Sequence, residues 1–236
     1  MKKNNSFYDG QDPRYLPSYS IGETAHYLLV PQATVRSWAI GRPYPTKLGK
    51  RYFAPVIGLP RKSKSLSFIN LIEVHVLDAI RREHAVPLDK VRSAVNYLRK
   101  EFGSEYPLAE EVFATDGLDL FIQKCGQLIN VSRSGQLGMK SLLEAYLRRI
   151  DRDAKGTAVR LYPFTRKRAD EEPKAVVIDP YISFGRPVLA GTGIPTSAIA
   201  ERYKAGESIG QLSEDYGRKF LEIEEAIRCE LALEAA

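Results

Sequence analysis

The chain has 236 residues, of which 44% are hydrophobic and 27% charged, and this ordinary globular composition excludes a fibrous or wholly disordered protein. No apolar run approaches the roughly 20 residues that span a bilayer, and the first residues lack the apolar stretch of a signal peptide. Two cysteines, Cys125 and Cys229, are too few and too far apart for a disulfide framework. We therefore expect a cytoplasmic protein without a membrane partner.

The net charge of +6 is unevenly distributed along the chain. Residues 1–64 hold eleven Lys or Arg against three Asp or Glu, whereas residues 171–236 hold seven against twelve. A basic first part suits a polyanion such as DNA, because each cation placed near a phosphate releases a counterion. The acidic last part does not, so the two ends indicate two different partners.

In chain order, residues 1–17 are polar and predict a flexible N-terminal arm. The following segment predicts a helix that begins at a Ser20 cap, with Glu23 three residues on as in a capping box. Pro31 then opens a second helix, as prolines in a first helical turn do. The buried face of this second helix is predicted to hold Val35, Trp38 and Ala39.

Residues 46–64 carry turn residues and short apolar pieces, which predict a β-hairpin or loop with basic edges. Two short helices followed by such a segment have the layout of a winged helix-turn-helix, whose second helix enters the major groove. Amide, hydroxyl and guanidinium groups on that helix can bind base edges or phosphates, and wing cations can hold the backbone. The predicted DNA contacts are Gln32, Thr34, Arg36 and Ser37 on the helix, then Arg42, Lys47, Lys50, Arg51, Tyr52, Arg61, Lys62 and Lys64.

The central part of the chain predicts a helix at 69–84 and another from Pro87 to about 102. Residues 120–132 predict two strands around a tight turn, 139–153 predict a helix, and 157–164 predict an edge strand. The predicted fold class is therefore mainly α with small β elements (α+β). It comprises a winged helix-turn-helix, central helices with a β-hairpin, and a C-terminal three-helix module with short strands.

A highly charged segment, 165–174, predicts a linker between a domain at 18–164, called the head, and a domain at 175–236, called the tail. In the tail, short strands precede three helices at about 196–205, 208–216 and 220–234. Gly206 and Gly217 are expected to end the first two helices, and Ser208 to cap the second.

The last predicted helix of the tail is acidic, so phosphates would repel it and a protein partner is favoured over DNA. Its apolar stripe is predicted to be core rather than interface. The stripe comprises Leu221, Ile223, Ala226, Ile227 and Leu231.

Two resemblances add to this interpretation. The run 19–25, followed by 34–36 and Trp38, is similar to the opening of the MerR family, and the likeness extends over residues 19–102. It implies that these elements form DNA-binding helices. The wing segment is longer than in that family, and the long terminal dimerisation helix and cysteine effector site of metal-sensing members are missing from the sequence.

In the tail, Asp179-Pro180, 185–188, Gly191-Thr192 and Ile194-Pro195 stand in the register of the antitoxin family described as domain of unknown function 433. Gly193 stands where that family usually has arginine. The resemblance implies a VapB-type antitoxin that neutralises a PIN-like ribonuclease toxin, dimerises and represses its own operator. It implies partner contacts at Gly185, Arg186, Pro187, Gly191, Thr192 and Ile194.

We therefore expect an antitoxin and autorepressor that binds operator double-stranded DNA as a homodimer, with segment 86–150 as the dimer surface. The sequence shows no metal-ligand spacing and no glycine-rich phosphate loop, so we expect no cofactor, no metal and no catalytic residues. One alternative is a MerR-like regulator whose tail dimerises or senses a ligand, without a toxin. A third hypothesis is a small hydrolase with an unrecognised motif.

Overall fold

The computed structural model describes residue 8 and residues 10–46, 49–60, 63–84, 87–129, 133–166 and 173–231. Its helices are α1 (Ile21–Leu28), α2 (Gln32–Ala39), α3 (Phe68–His84), α4 (Leu88–Phe102), α5 (Leu118–Ile129), α6 (Arg133–Leu147), α7 (Thr196–Lys204), α8 (Ile209–Tyr216) and α9 (Phe220–Leu231). Its strands are β1 (Arg42–Thr46), β2 (Gly49–Phe53), β3 (Ile150–Arg152), β4 (Ala158–Leu161), β5 (Val176–Val177) and β6 (Val188–Leu189), paired in that order as antiparallel couples. The predicted α+β class is confirmed.

The helix-turn-helix begins as the sequence predicts. The Ser20 hydroxyl accepts from the backbone N–H of Glu23, and the Glu23 carboxylate accepts from that of Ser20, which completes the capping box. Pro31 occupies the N-cap of α2 rather than its first turn. The predicted buried face of α2 is confirmed, since Val35, Trp38 and Ala39 are all buried.

Helix α3 is the centre of the head. The predicted helix is confirmed, but every residue from Phe68 to Ile80 is buried, so α3 is covered on all sides rather than along one stripe. Its polar residues have internal partners: the Asn70 amide donates to the Gly58 carbonyl, and Asp78 accepts from the Tyr146 hydroxyl. These bonds compensate the loss of water around α3.

The strand prediction for residues 120–132 is wrong up to Ile129, because this stretch continues helix α5; residues 130–132 lie outside the described part. Gly126 caused the error. It lies inside the helix, where a Cβ would come within 2.7 Å of the Gln136 amide on α6. The glycine therefore allows close helix packing and makes no turn.

The central hairpin lies further along the chain than predicted. Helix α6 ends at Leu147, and the chain continues into β3, which pairs antiparallel with β4. The helix prediction for 139–153 is thus wrong from Ile150 to Arg152, whereas the edge strand predicted within 157–164 is confirmed by β4.

The wing is a hairpin of β1 and β2, earlier in the chain than the predicted segment 46–64. Pro43 and Pro45 lie within β1, paired with Tyr52 and Lys50. Because the prolines are two residues apart, both ring nitrogens face the outer edge of the strand, where no donor is needed. Missing donors on that edge also discourage pairing with another chain.

The tail helices agree closely with the predicted ones. Ser208 caps α8 in a capping box with Gln211, and Gly217 ends α8 with a left-handed φ of 59°. Ile223, Ala226 and Ile227 are buried as predicted, but Leu221 is 46% exposed and does not belong to the core. Residues 232–236 lie outside the described part.

The tail packs against the head. The Tyr19 hydroxyl, just before α1, donates to the Gly185 carbonyl at 3.0 Å in a buried contact. His26 of α1 lies 3.8 Å from the Glu230 carboxylate of α9. Ile178 exchanges two backbone hydrogen bonds with Leu161 of β4 and belongs to the hydrophobic cluster of the head.

Two further segments contact the tail. In the predicted arm, the Tyr8 hydroxyl donates to the Pro180 carbonyl of the tail. Arg14 of the same arm instead holds it to the head, through a 2.7 Å ion pair with Asp153 at the turn after β3. At the start of the predicted linker, Thr165 is buried and donates to Glu225 of α9. The predicted linker segment 167–172 lies outside the described residues.

Candidate nucleic-acid and partner interfaces

The outer face of α2 carries most of the predicted recognition residues. Gln32 and Arg36 are exposed and Thr34 is half-buried. Ser37 does not share that face: it is 8% exposed and lies beside Trp38 in the core. The prediction for Ser37 is therefore wrong, because a small hydroxyl residue can lie on either face of a helix.

A groove of about 410 Å³ lies between the N-terminus of α1 and α2. Arg36 and Lys64 supply two cations to it, and the positive end of the α1 dipole also favours an anion there. Such a groove suits a phosphate of the DNA backbone. It is lined by Ser20, Ile21, Gly22, Gln32, Arg36, Ile40, Lys64 and Ser65. Sequence reasoning missed the α1 terminus because only packing brings it beside α2.

The wing presents cations on both of its faces. Paired residues share a face, so Arg51 lies opposite Tyr44 on one face, and Lys50 lies opposite Pro45 on the other. Arg42 shares the face of Arg51, and Tyr52 that of Lys50. All four predicted contacts are exposed. Lys47, Arg61 and Lys62 lie outside the described residues.

Several contacts hold the wing against the helices. The Tyr52 hydroxyl, although its side chain is 59% exposed, donates to the Ile40 carbonyl. Gly41, with φ of +83°, makes the turn into β1, and a Cβ there would overlap the Phe53 carbonyl. From α4, Arg92 donates to the Ala54 carbonyl and lies 5.6 Å from the Phe53 ring centroid. Sequence reasoning missed Arg92.

Of the partner residues predicted in the tail, some are buried and others are exposed. Gly185 and Pro187 are buried, whereas Arg186 and Gly191 are exposed. Gly185 is used within the chain, since a Cβ there would overlap the Tyr19 hydroxyl.

The other two predicted partner residues lie in the loop after β6. The Thr192 hydroxyl donates to the Leu189 carbonyl at 2.8 Å and accepts from the Ile194 N–H at 3.1 Å. Ile194 packs partly buried against the tail core. These bonds give the loop a fixed shape.

A cavity of about 200 Å³ lies at the contact between head and tail. Burial, and next the nearby Glu23 carboxylate, raise the pKa of Tyr27 to about 12, so its hydroxyl stays protonated at neutral pH. Four aromatic rings and two opposite charges surround the space. The lining residues are Tyr8, Pro13, Ser18, Tyr19, Glu23, Tyr27, Pro180, Phe184 and Arg186.

Comparison with known proteins assigns the chain to a family. Residues 17–95 match the domain described as "Putative DNA-binding HTH domain", and residues 176–228 match "Protein of unknown function (DUF433)". The Mycobacterium tuberculosis protein named "Putative antitoxin VapB45" is 31% identical over an alignment of 222 residues, and the match covers 86% of this chain and 89% of that protein. The chain belongs to the VapB45 family.

Two further comparisons with M. tuberculosis proteins support the likeness of this VapB45-family chain. The uncharacterised protein Rv2308 is 26% identical over an alignment of 220 residues. That match covers 89% of this chain and 88% of Rv2308. The crystal structure of Rv2018 superposes with a TM-score of 0.65 at 24% identity, covering 90% of this chain and 98% of that one. This last likeness concerns the fold.

The two matched domains correspond to the two candidate interfaces. The helix-turn-helix match covers α1, α2, the wing and α3, and ends within α4 at Val95. The DUF433 match begins at β5 and ends within α9. The helix-turn-helix and the DUF433 resemblance expected from the sequence are therefore confirmed in this VapB45-family chain, while the predicted domain bounds and the likeness to MerR proteins stay predictions.

Two further observations concern metal sites and membrane spans in the part of the chain that the structure describes. Within it, no group of three or more His, Cys, Asp or Glu side chains could hold a metal ion. No helix in the same ranges has both the length and the apolarity needed to cross a membrane.

Proposed function

We propose that this chain is an antitoxin that neutralises a PIN-like ribonuclease toxin and represses its own operon as a homodimer on operator DNA. The naming of its relative VapB45 as an antitoxin supports the first half, because the similarity extends over both modules. The matched helix-turn-helix domain supports the second half. The proposal assigns no catalytic role to the chain.

The observation that carries the proposal is the set of free cations on the head. Arg36 and Lys64 at the groove, and Lys50 and Arg51 on the wing, are exposed. Within the described ranges, none of the four contacts a carboxylate. Each can therefore neutralise a DNA phosphate without first breaking an ion pair.

The proposed toxin partner is the product of the gene beside this one. We expect co-expression to yield a stable complex and to relieve the growth arrest that the neighbouring product causes alone. Purified chain should bind duplexes from its own promoter with an affinity that falls steeply as salt rises, and a shuffled duplex serves as control. Absence of both the complex and the relief would contradict the antitoxin function.

The cavity between head and tail favours a second candidate function, a regulator that senses a small ligand. Its position beside α1 would let a ligand act on the helix that supports α2. In that case the neighbouring gene product should leave DNA affinity unchanged. A small molecule that raises the unfolding temperature should instead alter DNA affinity, and Tyr27→Phe or Arg186→Gln should weaken that response.

A further inference from the structure

A larger cleft, about 660 Å³, lies where β4 of the head meets the loop that follows β6 in the tail. Arg160 and Tyr162 line it from the head, and Gly191–Gly193 line it from the tail, with Val177 and Ile182 as apolar walls. Neither module forms this cleft alone.

Two cations, Arg160 and Lys174, reach the surface at this cleft. The Arg160 Nε donates to the Asp179 carboxylate at 3.0 Å, yet the arginine side chain is 47% exposed and that of Asp179 only 4%. Lys174, also exposed, lies 4.7 Å from the Tyr162 ring centroid. The half-buried Asp151 accepts from the Tyr162 hydroxyl at 3.0 Å. Both cations thus reach the surface next to the acidic tail, while the carboxylate that Arg160 contacts is buried beneath it.

Gly193 leaves the rim of the cleft open. Its φ lies outside the left-handed range, and a Cβ there would meet no atom within 4 Å, so the fold does not require glycine at this position. Gly191 differs, because its φ of +76° favours glycine. A backbone without a side chain permits close approach of another molecule.

We propose that this cleft binds an acidic side chain, Asp or Glu, of the toxin partner, held by Arg160 of the head beside the Gly191–Gly193 loop of the tail. The inference rests on the proposed antitoxin function and names where that partner is bound. The anchored guanidinium keeps a fixed orientation, which suits carboxylate recognition. A basic segment would be repelled by Arg160 and Lys174.

The test is calorimetric titration of the full chain with the neighbouring gene product. Gly193→Leu should fill the cleft without a clash and weaken binding about 30-fold, as loss of a binding hot spot does. Arg160→Lys, which keeps a charge over Asp179 but loses the guanidinium fork, should weaken it roughly 10-fold. Gly58→Leu is the matched control, since Gly58 also lacks a left-handed φ and neighbouring atoms within 4 Å.

The readouts distinguish the possible failures. Promoter affinity of Gly193→Leu should stay within about twofold of wild type, because the altered residue is not part of the DNA-binding head. If Gly193→Leu binds the partner as tightly as wild type, or changes only the oligomeric state, the proposed cleft is wrong. If wild type binds the partner, Gly193→Leu weakens that binding and Arg160→Lys binds as tightly as wild type, then the cleft is used but its proposed acidic occupant is wrong. If wild-type chain binds no partner, the antitoxin function fails and the cleft assignment fails with it.

Discussion

The helix-turn-helix surface and the tail use their cations differently. Five exposed cations of α2, the wing and the segment before α3 have no carboxylate partner among the described residues: Arg36, Arg42, Lys50, Arg51 and Lys64. In the tail, Arg202, Arg218 and Arg228 each contact a carboxylate of the same module. A salt bridge offsets part of the charge of a cation, so an unpaired cation attracts a phosphate more strongly. The pairing therefore distinguishes the helix-turn-helix surface from these three arginines of the tail, whereas Arg186 and Lys219 of the tail are exposed without a carboxylate partner among the described residues.

The largest effect is expected where the two regions meet. Gly185→Ala should destabilise the protein by about 4 kcal/mol, because a left-handed backbone and a clash that disrupts the buried Tyr19 bond each add cost. Gly191→Ala has the same φ of +76° but no neighbour within 4 Å, so about 1–2 kcal/mol is expected. Urea unfolding measures both, and equal losses would contradict a packed contact between head and tail.

Among the described residues, the buried carboxylate of Glu73 in the head has no cation in contact, whereas the buried Glu225 carboxylate in the tail contacts Arg166. Burial raises the pKa of Glu73 to about 8, and its Oε1 atom has no hydrogen-bond partner. Unfolding therefore releases a proton between pH 4.5 and 8, so stability falls as pH rises through this window.

Glu73→Gln should remove that dependence, worth about 1.4 kcal/mol for each unit of pKa difference, and should raise stability at pH 8 relative to wild type. Urea unfolding at pH 5 and pH 8 measures the change. Parallel pH profiles for variant and wild type would show that Glu73 is ionised in the folded protein.

On the DNA side, Arg36→Ala should weaken binding to promoter duplexes by about 1–3 kcal/mol if the guanidinium reads a base. Arg202→Ala is the matched control, because this arginine already pairs with Glu207 and Asp215. Gel-shift titration measures both variants. A comparable loss with Arg202→Ala would overturn the distinction between free and paired cations.

The smallest effect is expected for Lys50→Ala on the wing. A lysine that neutralises one phosphate should lower the slope of log affinity against log salt by about 1, with little change in sequence preference. Lys219→Ala in the tail should leave the slope unchanged. Fluorescence anisotropy at several salt concentrations gives the slopes, and an unchanged slope for Lys50→Ala would place the wing off the DNA.

Local signals made much of this fold predictable. Features that depend on neighbours within four residues can be predicted from the sequence alone. They include the Ser20 and Ser208 caps, the apolar face of α2 and the glycine after α8. Contacts between distant segments are not. Gly126 resembles a turn residue until α6 lies against it, and Pro43 and Pro45 fall outside the predicted hairpin segment 46–64 although both pair with β2.

The same distinction holds for the candidate sites. Arg36 and the wing cations could be predicted, because charge and helix period locate them. Arg160 and Tyr162 could not, since an alternating strand does not reveal that the loop after β6 lies opposite. Gly185 was predicted to contact a partner protein, whereas its carbonyl is bound by Tyr19 of the same chain.

The hydrogen bonds between Leu161 and Ile178 have a practical consequence for dissecting the protein. A head fragment that ends between residues 165 and 174 would lack Ile178, which is fully buried among head side chains and pairs with β4. Such a fragment would expose both an unpaired strand edge and the apolar side chains that Ile178 covers, and this combination favours aggregation. A DNA-binding fragment intended for separate expression should therefore extend to at least Pro180.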